Sequence, residues 1–527
     1  MKYKFYKLLV IIILAFNSVN AQNPDKHINR LIGEIDQEWL NSICQTLPAY
    51  QLDYSLRSAQ GFEKTSTEAR KQATLDQSWY LYKNVNGQEK AKPEKVQIPH
   101  QFERNRKYNS AWYFSKYKID KQPEKHYFLK LSRIDLLSAV YVNGQKCGSH
   151  IGSYTPFELD ITDQLISGDN SFAILVYDKS GAVNKDRLIT QVGPARFKAG
   201  KQGYKYSGGI DDIPVLEVRE ETHIKDLFVK TSTRKGEIEI EYELSGAESI
   251  DKLSFEIFKW PNGEKVDLKL PVVENQTIPE GVNSVKAKWE NADLWSPDHP
   301  NLYVLRASLQ NNSTKDILEV RFGFREFWID GKTFMLNGTP TRLRGESHYH
   351  LFTQGVDFHR EVFKMHKETF GSNACRVHAF MPHPDIFLGA DEAGILIINQ
   401  NAVWSVNGQL YAKGGEDLLN NLEQEFEEWV RRDRNCPSVV VWDVENEMLR
   451  FNFDLHMPWI SKLPGFVKKF DNTRPINLSG AGWFSPDQDM VSLHMQDNYA
   501  RIMSDWKEKD NRPLITGEFW VGARADQ

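Results

Sequence analysis

Short runs of alternating polar and apolar residues, separated by turns, dominate the chain from Trp79 onward. Tyr127–Leu131, Ala139–Val142 and Phe172–Val176 are runs of this kind. Asn143-Gly144 follows the second run and favours a two-residue hairpin turn, because both central residues of such a turn need positive φ. Many short strands over ~140 residues predict a β jelly roll. We place it at residues 76–221.

A second β-rich region spans about residues 222–324. Within it, Glu237–Leu244 (EIEIEYEL) alternates between polar and apolar residues along its whole length. This alternation is typical of a strand with one buried face. A region of ~100 residues with this texture predicts an immunoglobulin-like β-sandwich.

After residue 324 the pattern changes, and short β runs alternate with helical stretches. The predicted strands are Thr341–Arg344, Ala374–His378, Ile395–Asn399, Ser438–Trp442, Ile476–Ser479, Met490–Leu493 and Leu514–Thr516. Strands that alternate with helices predict a parallel sheet, and seven such units predict a TIM barrel. We therefore expect a catalytic domain at residues 325–527.

The predicted barrel is incomplete. Eleven residues follow Thr516, whereas an eighth strand with its helix needs roughly 20 or more. We expect a (β/α)8 barrel that lacks its last strand–helix unit, in a chain truncated from a longer enzyme. Open strand edges would make such a chain poorly soluble or weakly active.

The N-terminus has the pattern of a secretory signal peptide. Three lysines precede the apolar run Leu8–Phe16, and Ala21 ends a small-residue cleavage motif. The apolar run is too short to cross a hydrocarbon core of ~30 Å. We expect cleavage of residues 1–21, and a periplasmic or secreted protein that has no membrane association afterwards. Residues 22–75 form a polar lead segment with helix-like stretches such as Ile28–Leu47.

Composition and charge narrow the range of partners. The formal net charge is −5, and there is no long basic block, so we expect no nucleic-acid partner. The four cysteines form no CxxC pair. The histidines and carboxylates show no metal-ligand spacing, so we expect neither a metal nor a cofactor. The oligomeric state stays open.

Two carboxylates follow predicted strands that face each other across the barrel. Glu447 lies just beyond the fourth strand and Glu518 just beyond the seventh. The carboxyl ends of the strands form the active-site face of a TIM barrel. Two carboxyl groups about 5 Å apart at that face can serve as the acid/base and the nucleophile of a retaining glycosidase. One of them needs a raised pKa to donate a proton, and the negative charge of its partner would help to raise it.

A series of short motifs runs through the chain in a specific order. In the β regions they are Ala111–Tyr113, Val140–Gly144, Gly152–Phe157, Asp160–Thr162, Ser207–Ile210, Leu294–Pro297, Pro300–Tyr303 and Phe322–Arg325, and in the barrel region they are Leu336–Gly338, Leu343–Gly345, Asn373–Arg376, Asp391–Gly394, Arg432–Val439 and Arg512–Glu518. In this order and spacing the chain resembles glycoside hydrolase family 2. That family comprises β-galactosidases, β-glucuronidases and β-mannosidases.

The resemblance implies roles for individual residues. It implies that Glu447 is the acid/base and Glu518 the nucleophile. Asn446 is then expected to donate a hydrogen bond to the sugar 2-hydroxyl, and Arg376 to hold Glu518 ionised. The remaining residues that we expect to bind substrate are His348, His350, His494, Tyr499 and Trp520.

Three departures from the family pattern affect the predicted pocket. Arg376-Val377-His378 places a histidine one residue earlier than the usual S-H-Y-P. The usual R-G-x-N-x-H-E is replaced by Arg344–His350 (RGESHYH), so neither His348 nor His350 falls on the position of the family histidine. The usual acidic pair after the third strand is Asn399-Gln400. These changes affect the choice of sugar and leave both catalytic glutamates in place.

The resemblance implies a retaining, exo-acting β-glycosidase that hydrolyses the terminal sugar of β-linked oligo- or polysaccharides. β-Galactosidase activity is the first expectation and β-glucuronidase activity the second. The alternative is a catalytically inactive carbohydrate-binding protein, or a non-functional fragment, on the same scaffold. Binding without turnover of chromogenic β-glycosides would favour that alternative.

Overall fold

Two β-sandwiches and a parallel barrel follow one another along the chain, which confirms the predicted fold class. The structure, a computed structural model, describes residues 36–63, 66–84, 92–103, 108–178, 186–192, 208–246, 249–348, 354–482, 488–494 and 499–518. No helix in these ranges is long and apolar enough to cross a membrane.

In its described residues, the N-terminal part contains one helix, α1 (Gln37–Thr46), and fifteen strands. The strands are β1 (Tyr50–Gln51), β2 (Ser55–Leu56), β3 (Lys71–Thr74), β4 (Trp79–Asn84), β5 (Glu94–Val96), β6 (His100–Gln101), β7 (Ser110–Ile119), β8 (Lys125–Leu131), β9 (Ile134–Asp135), β10 (Leu137–Val142), β11 (Gln145–Ile151), β12 (Phe157–Asp160), β13 (Gly168–Tyr177), β14 (Gly209–Ile210) and β15 (Val215–Glu220). A 3₁₀ turn at Thr162–Gln164 precedes β13.

These strands form a jelly roll. One sheet has the order β11-β10-β13-β7-β4-β5, and the other has the order β12-β8-β15-β3-β2. Aromatic side chains such as Trp79, Tyr113 and Phe172 are fully buried between them. Asn143 and Gly144 have φ values of 50° and 79°, as the predicted hairpin turn between β10 and β11 requires. Helix α1 covers the outer face of the first sheet.

The middle domain is the predicted immunoglobulin-like sandwich. Its strands are β16 (His223–Ser232), β17 (Glu237–Ser245), β18 (Ser249–Lys259), β19 (Val273–Thr277), β20 (Val282–Lys288), β21 (Tyr303–Asn311) and β22 (Thr314–Phe322). One sheet has the order β16-β17-β20, and the other has the order β19-β18-β21-β22. In β17 the apolar residues Ile238, Ile240 and Tyr242 are buried and alternate with partly exposed neighbours, which explains the pattern in the sequence.

A short antiparallel sheet leads into the barrel, and its strands are β23 (Phe327–Asp330), β24 (Thr333–Leu336) and β25 (Thr339–Thr341). The barrel strands are β26 (Gly345–His348), β27 (Ala374–Val377), β28 (Leu396–Gln400), β29 (Val439–Asn446), β30 (Ile476–Ser479), β31 (Val491–His494) and β32 (Leu514–Glu518). Its helices are α2 (Val356–Phe370), α3 (Pro384–Ala393), α4 (Gly408–Tyr411), α5 (Gly415–Asp433), α6 (Met448–Phe451), α7 (Phe453–Ile460), α8 (Leu463–Phe470) and α9 (Tyr499–Lys509), with a 3₁₀ turn at Ser405–Asn407.

Seven parallel strands are thus present among the described residues, in a sheet of five (β26 to β30) and a pair (β31 and β32). The predicted position of the first strand, Thr341–Arg344, is wrong. Thr341 ends β25, which pairs antiparallel with β24, and the first parallel strand begins at Gly345. A β-branched residue favours any strand and does not distinguish the two kinds of pairing. Gly345 fits here because an added Cβ would lie 2.3 Å from the Ala374 carbonyl oxygen.

Buried polar contacts fix β29, the strand that leads to Glu447. The guanidinium of Arg325 donates to the carbonyl oxygens of Pro437 and Val439 at 2.9 and 2.6 Å. Further along the strand, the indole of Trp442 donates to Asp471 at 2.8 Å. Contacts at both the start and the middle of β29 hold its carboxyl end in a defined position, as a catalytic site needs.

Candidate active site

Glu447 and Glu518 come together at the carboxyl ends of β29 and β32. Glu447 directly follows β29 with φ +59°, a left-handed conformation that a non-glycine residue rarely adopts. Its N–H donates to the carbonyl oxygen of Ser479 at 2.8 Å. One oxygen of each glutamate and one ring nitrogen of His494 all lie within 4.8 Å of one another. Carboxyl groups of retaining glycosidases have a similar separation.

Arg376 connects the second glutamate to the rest of the site. It lies in β27, is buried, and donates through Nη1 to Oε1 of Glu518 at 3.0 Å. Through Nη2 it donates to Oδ1 of Asn446 at 2.6 Å, and through Nε to Oδ2 of Asp443 at 3.2 Å. The guanidinium cannot lose its charge. It therefore gives the carboxylate of Glu518 a charge-assisted hydrogen bond, which holds that oxygen in place.

His494 lies between the two glutamates and is fully buried. Its Nδ1 is 3.2 Å from Oε1 of Glu447 and 3.6 Å from Oε1 of Glu518. Its Nε2 is 3.1 Å from the hydroxyl of Ser479, which fixes the plane of the ring. Burial and the nearby charge of Arg376 lower the pKa of His494. The ring is thus neutral near pH 7 and shares one proton with its neighbours.

The expectation that the acid/base has a raised pKa is wrong for Glu447 in this structure. Burial raises its pKa, but the hydrogen bond from His494 and the charge of Arg450 outweigh burial, so the pKa of Glu447 is lowered. Arg450 Nη1 lies 2.7 Å from Glu447 Oε1. The site without substrate therefore favours the ionised, proton-accepting form of Glu447.

Two more buried carboxylates lie beneath the pair, on β29. Burial raises the pKa of Asp443 to about 7, although Arg376 opposes this change. Burial also raises the pKa of Glu445 well above its usual value, and the negative charges of Asp443 and Glu447 add to the effect. Glu445 accepts a hydrogen bond from the backbone N–H of Met448 at 2.7 Å. The floor of the site thus holds protonatable carboxyl groups that the sequence reasoning did not single out.

The amide of Asn446 is oriented for a ligand. Its Oδ1 accepts hydrogen bonds from Arg376 at 2.6 Å and from Gln400 at 3.4 Å. Its Nδ2 is buried and has no hydrogen-bond partner among the described residues. An unsatisfied buried donor costs free energy, so a sugar hydroxyl that accepts from Nδ2 would remove that cost.

His378 and Trp404 form another wall of the site, and sequence reasoning gave neither a role in substrate binding. His378 Nδ1 lies 3.4 Å from Oε1 of Glu518, and its ring meets the Trp404 ring edge-on at 5.5 Å. Burial and the charge of Arg376 lower the pKa of His378 to about 4. The indole nitrogen of Trp404 is buried and has no hydrogen-bond partner among the described residues. The signal for Trp404 was its position just after the third barrel strand.

For the other predicted substrate-binding residues the structure describes the backbone alone or does not describe the residue. His348 ends β26 and Tyr499 begins α9, and the structure places these two by their backbone alone. His350 and Trp520 lie outside the described residues. Their roles stay predictions.

One group of described residues could hold a metal ion, and it consists of Glu447, His494 and Glu518. Each offers one ligand atom, and these atoms lie within 4.8 Å of one another. Guanidinium groups already lie 2.7 Å from Glu447 and 3.0 Å from Glu518. Their positive charge opposes the binding of a cation between the glutamates. The absence of a metal or cofactor stays a prediction.

The three domains and the paired carboxylates define a scaffold of the glycoside hydrolase class, and sequence comparison identifies the family. Family models match residues 72–216 (glycosyl hydrolases family 2, sugar binding domain), 222–325 (glycosyl hydrolases family 2) and 320–526 (glycosyl hydrolases family 2, TIM barrel domain). The chain belongs to glycoside hydrolase family 2.

Relatives with two different names match the chain. A putative beta-glucuronidase of Formosa agariphila is 29% identical over 418 residues, which cover 74% of this chain and 47% of the relative. A beta-galactosidase of Thermoanaerobacter pseudethanolicus is 28% identical over 395 residues, which cover 72% of this chain and 50% of the relative. The chain therefore spans about half the length of these curated relatives.

Solved structures with the same fold include two enzymes that are named after uronic acid sugars. The beta-D-glucuronidase of Dictyoglomus thermophilum aligns with a TM-score of 0.68 at 20% identity. The alignment covers 86% of this chain and 83% of the chain of that enzyme. The GH2 beta-galacturonidase of Eisenbergiella tayi aligns with a TM-score of 0.69 at 20% identity. This alignment covers 86% of this chain and 82% of the chain of that enzyme. At this level of identity the likeness concerns the fold.

Proposed function

We propose that the protein is a retaining, exo-acting β-glycosidase with Glu518 as nucleophile and Glu447 as acid/base. The observation that carries the proposal is the approach of these two carboxylates within 4.8 Å at the carboxyl ends of opposed barrel strands. An inverting enzyme needs room for a water molecule between carboxyl groups that lie ~6.5–9.5 Å apart.

In the first step, an oxygen of Glu518 attacks the anomeric carbon and the bond to the leaving group breaks. Glu447 gives its proton to the departing oxygen, and a glycosyl-enzyme forms on Glu518. Arg376 donates to Glu518 at 3.0 Å and positions its carboxylate for the attack. The Nδ2 donor of Asn446 faces the site without a partner among the described residues. Its bond to the sugar 2-hydroxyl strengthens in the transition state and so raises the rate.

In the second step, Glu447 acts as a base. It removes a proton from a water molecule, which attacks the anomeric carbon and releases the sugar with its original configuration. Contacts with Arg450 and His494 lower the pKa of Glu447 and so favour this ionised form. In this geometry Glu447 already has the ionised form that the second step needs. The first step needs a proton on the same carboxyl group.

For the terminal sugar we propose a β-galactoside first and a β-glucuronide second. A glucuronide carries a carboxylate that needs a cation in the pocket. Among the described residues, two arginines contact the proposed catalytic carboxylates. Arg376 is already bonded to three groups of the site, and Arg450 contacts the acid/base, which faces the leaving group and not the terminal sugar's own substituents. The histidines His378 and His494 have lowered pKa values and offer no positive charge near pH 7. A neutral sugar fits this arrangement better.

The test is a panel of 4-nitrophenyl β-glycosides with the 527-residue chain and two variants. Glu518→Gln should abolish turnover of every glycoside, because no glycosyl-enzyme can form. Glu447→Ala should lose far more activity on sugars with poor leaving groups than on nitrophenyl glycosides, and azide should restore part of it. Equal losses for both leaving groups would contradict the assignment of Glu447. Binding without turnover by the unmodified chain would instead favour an inactive carbohydrate-binding protein.

We also propose that the protein is exported to the periplasm or the medium and that cleavage follows Ala21. The support is the basic, apolar and small-residue pattern of residues 1–21. N-terminal sequencing of the protein recovered from its native cells should begin at Gln22. Recovery of the protein from the cytoplasm with Met1 intact would overturn this proposal.

A further inference from the structure

Arg450 lies at the rim of the site, beside the acid/base. It is the third residue of α6, and its Nη1 lies 2.7 Å from Oε1 of Glu447. Its side chain is 28% exposed, whereas the side chain of Glu447 is 10% exposed. Arg450 is therefore the more exposed partner of this ion pair. Arg376, by contrast, is 4% exposed and already bonded to three groups of the site.

This ion pair conflicts with the first half of the proposed reaction. Glu447 must carry a proton when the leaving group departs, but an arginine never gives up its charge and holds Glu447 ionised. The other ionisable groups around Glu447 are His494 on β31, Glu518 on β32 and Glu445 on β29. The two carboxylates favour a proton on Glu447, but the contacts from His494 and Arg450 oppose them.

We propose that the leaving part of the substrate carries an anionic group, a carboxylate or a sulfate ester, which binds Arg450 and draws it away from Glu447. This inference rests on the proposed function and extends it to the substrate class. The acid/base gives its proton to the glycosidic oxygen, so a more exposed cation in contact with it is close to the part of the substrate that leaves. A planar guanidinium matches the geometry of carboxylate and related oxyanions.

The same contact accounts for both protonation states of Glu447. While the anionic substrate is bound, Arg450 pairs with the substrate and Glu447 can hold the proton that goes to the leaving oxygen. The anion departs together with the leaving group. Arg450 then returns to Glu447, which is now the ionised base that activates water. One residue thus couples the charge of Glu447 to the presence of the leaving group.

Phe451 provides a second observation at the same place. Phe451 is 67% exposed, and the guanidinium carbon of Arg450 lies 5.8 Å from the centre of its ring. An exposed aromatic ring gives a sugar ring a surface on which to stack. A cation next to such a ring suits a sugar that carries a negative charge.

A binding experiment without turnover tests this proposal. The probes are phenyl, 4-carboxyphenyl and 4-sulfatophenyl 1-thio-β-galactosides and the corresponding glucuronides, whose sulfur link resists hydrolysis. By titration calorimetry the unmodified chain should bind the anionic probes roughly fivefold more tightly than the neutral one, as suits a partly exposed ion pair. The carboxylate and sulfate arms show which anion the site prefers.

Arg450→Met should bind all three aglycones equally, and Arg450→Gln provides a second variant with the same expectation. Arg501→Met is the matched control. Arg501 lies on α9, which follows β31, and its side chain is 83% exposed. This control loses the same charge and should keep the preference. An undiminished preference in both Arg450 variants, equal binding in the unmodified chain, or no binding of any probe would overturn the proposal.

A kinetic readout separates this role from a purely structural one. The measurement is the pH profile of kcat/KM with a neutral aryl glycoside. In Arg450→Met the alkaline limb of this profile should move to higher pH, because Glu447 keeps its proton to a higher pH when the arginine is absent. An unchanged alkaline limb would contradict the proposed coupling between Arg450 and the charge of Glu447. A chain that prefers anionic probes but turns over no glycoside would contradict the proposed function alone.

Discussion

The guanidinium of Arg376 donates to the carboxylate of Glu518 across 3.0 Å, from a buried position in β27. The two residues are 142 positions apart in the chain, and the parallel order of the barrel brings them together. A charge-assisted bond of this kind is about twice as strong as a neutral one. It holds the carboxylate of the proposed nucleophile in place.

Replacing Arg376 should therefore reduce the rate of the chemical step more than substrate binding. We expect Arg376→Met to lower kcat/KM for an aryl glycoside by roughly 100-fold, the size of effect seen when one buried donor is removed from a catalytic site. Arg376→Lys should recover only part of this loss, because an ammonium cannot make the three guanidinium contacts. Steady-state kinetics checks this, with Arg501→Met as the control for loss of charge. A decrease of less than threefold in Arg376→Met would contradict the assigned role.

Gly517 makes room for His494. A Cβ at residue 517 would lie 2.6 Å from Nε2 of His494 and 3.3 Å from the hydroxyl of Ser479. Because that imidazole contacts both glutamates, Gly517→Ala should displace it and lower kcat on the order of 10- to 100-fold. Gly465→Ala is the matched control, since nothing lies within 4 Å of its added Cβ. Equal kcat values for the two variants, each with a cooperative melt, would show that the position of His494 does not matter.

Asp443 should give the stability of the protein a specific pH dependence. Burial raises the pKa of Asp443 to about 7, from an ordinary value of 3.8. The folded protein therefore holds a proton that the unfolded chain has lost, so this contribution to stability is present below about pH 4 and disappears as the pH rises to about 7.

Asp443→Asn mimics the protonated form at every pH, so it tests this sign directly. The Tm of the variant relative to the unmodified chain should increase between pH 5 and pH 8. Thermal melts at four or more pH values over that range would measure the difference. A difference in Tm that is constant with pH, or that decreases, would show that Asp443 is already ionised at pH 5.

Much of the fold and the central pair of the site could be predicted from local patterns. The alternation in β17 and the Asn143-Gly144 turn depend on neighbouring residues alone. The placement of Glu447 and Glu518 needed one more rule, that the carboxyl ends of parallel strands meet at one face of a barrel. The first barrel strand was misplaced because pairing with Ala374 determines where it begins.

The electrostatics of the site could not be predicted in this way. The pKa of Glu447 depends on His494, which is 47 residues away, and on the direction in which Arg450 points from a four-residue helix. Arg450 follows Glu447 at the i+3 spacing, which brings side chains together on a helix, but Glu447 itself has a left-handed backbone conformation. The indole N–H of Trp404, which has no partner among the described residues, likewise depends on packing between separate strands.

The most direct test of the central claim is to trap the glycosyl-enzyme. The chain is incubated with 2-deoxy-2-fluoro-β-galactosyl fluoride and with the glucuronyl equivalent, which form the covalent intermediate faster than water removes it. Intact mass and peptide mapping then locate the sugar, with Glu518→Gln as the control. We predict one added fluorosugar on Glu518 and none in the control. Turnover of β-glycosides by a chain that never carries the sugar on Glu518, or that carries it on another residue, would contradict the account.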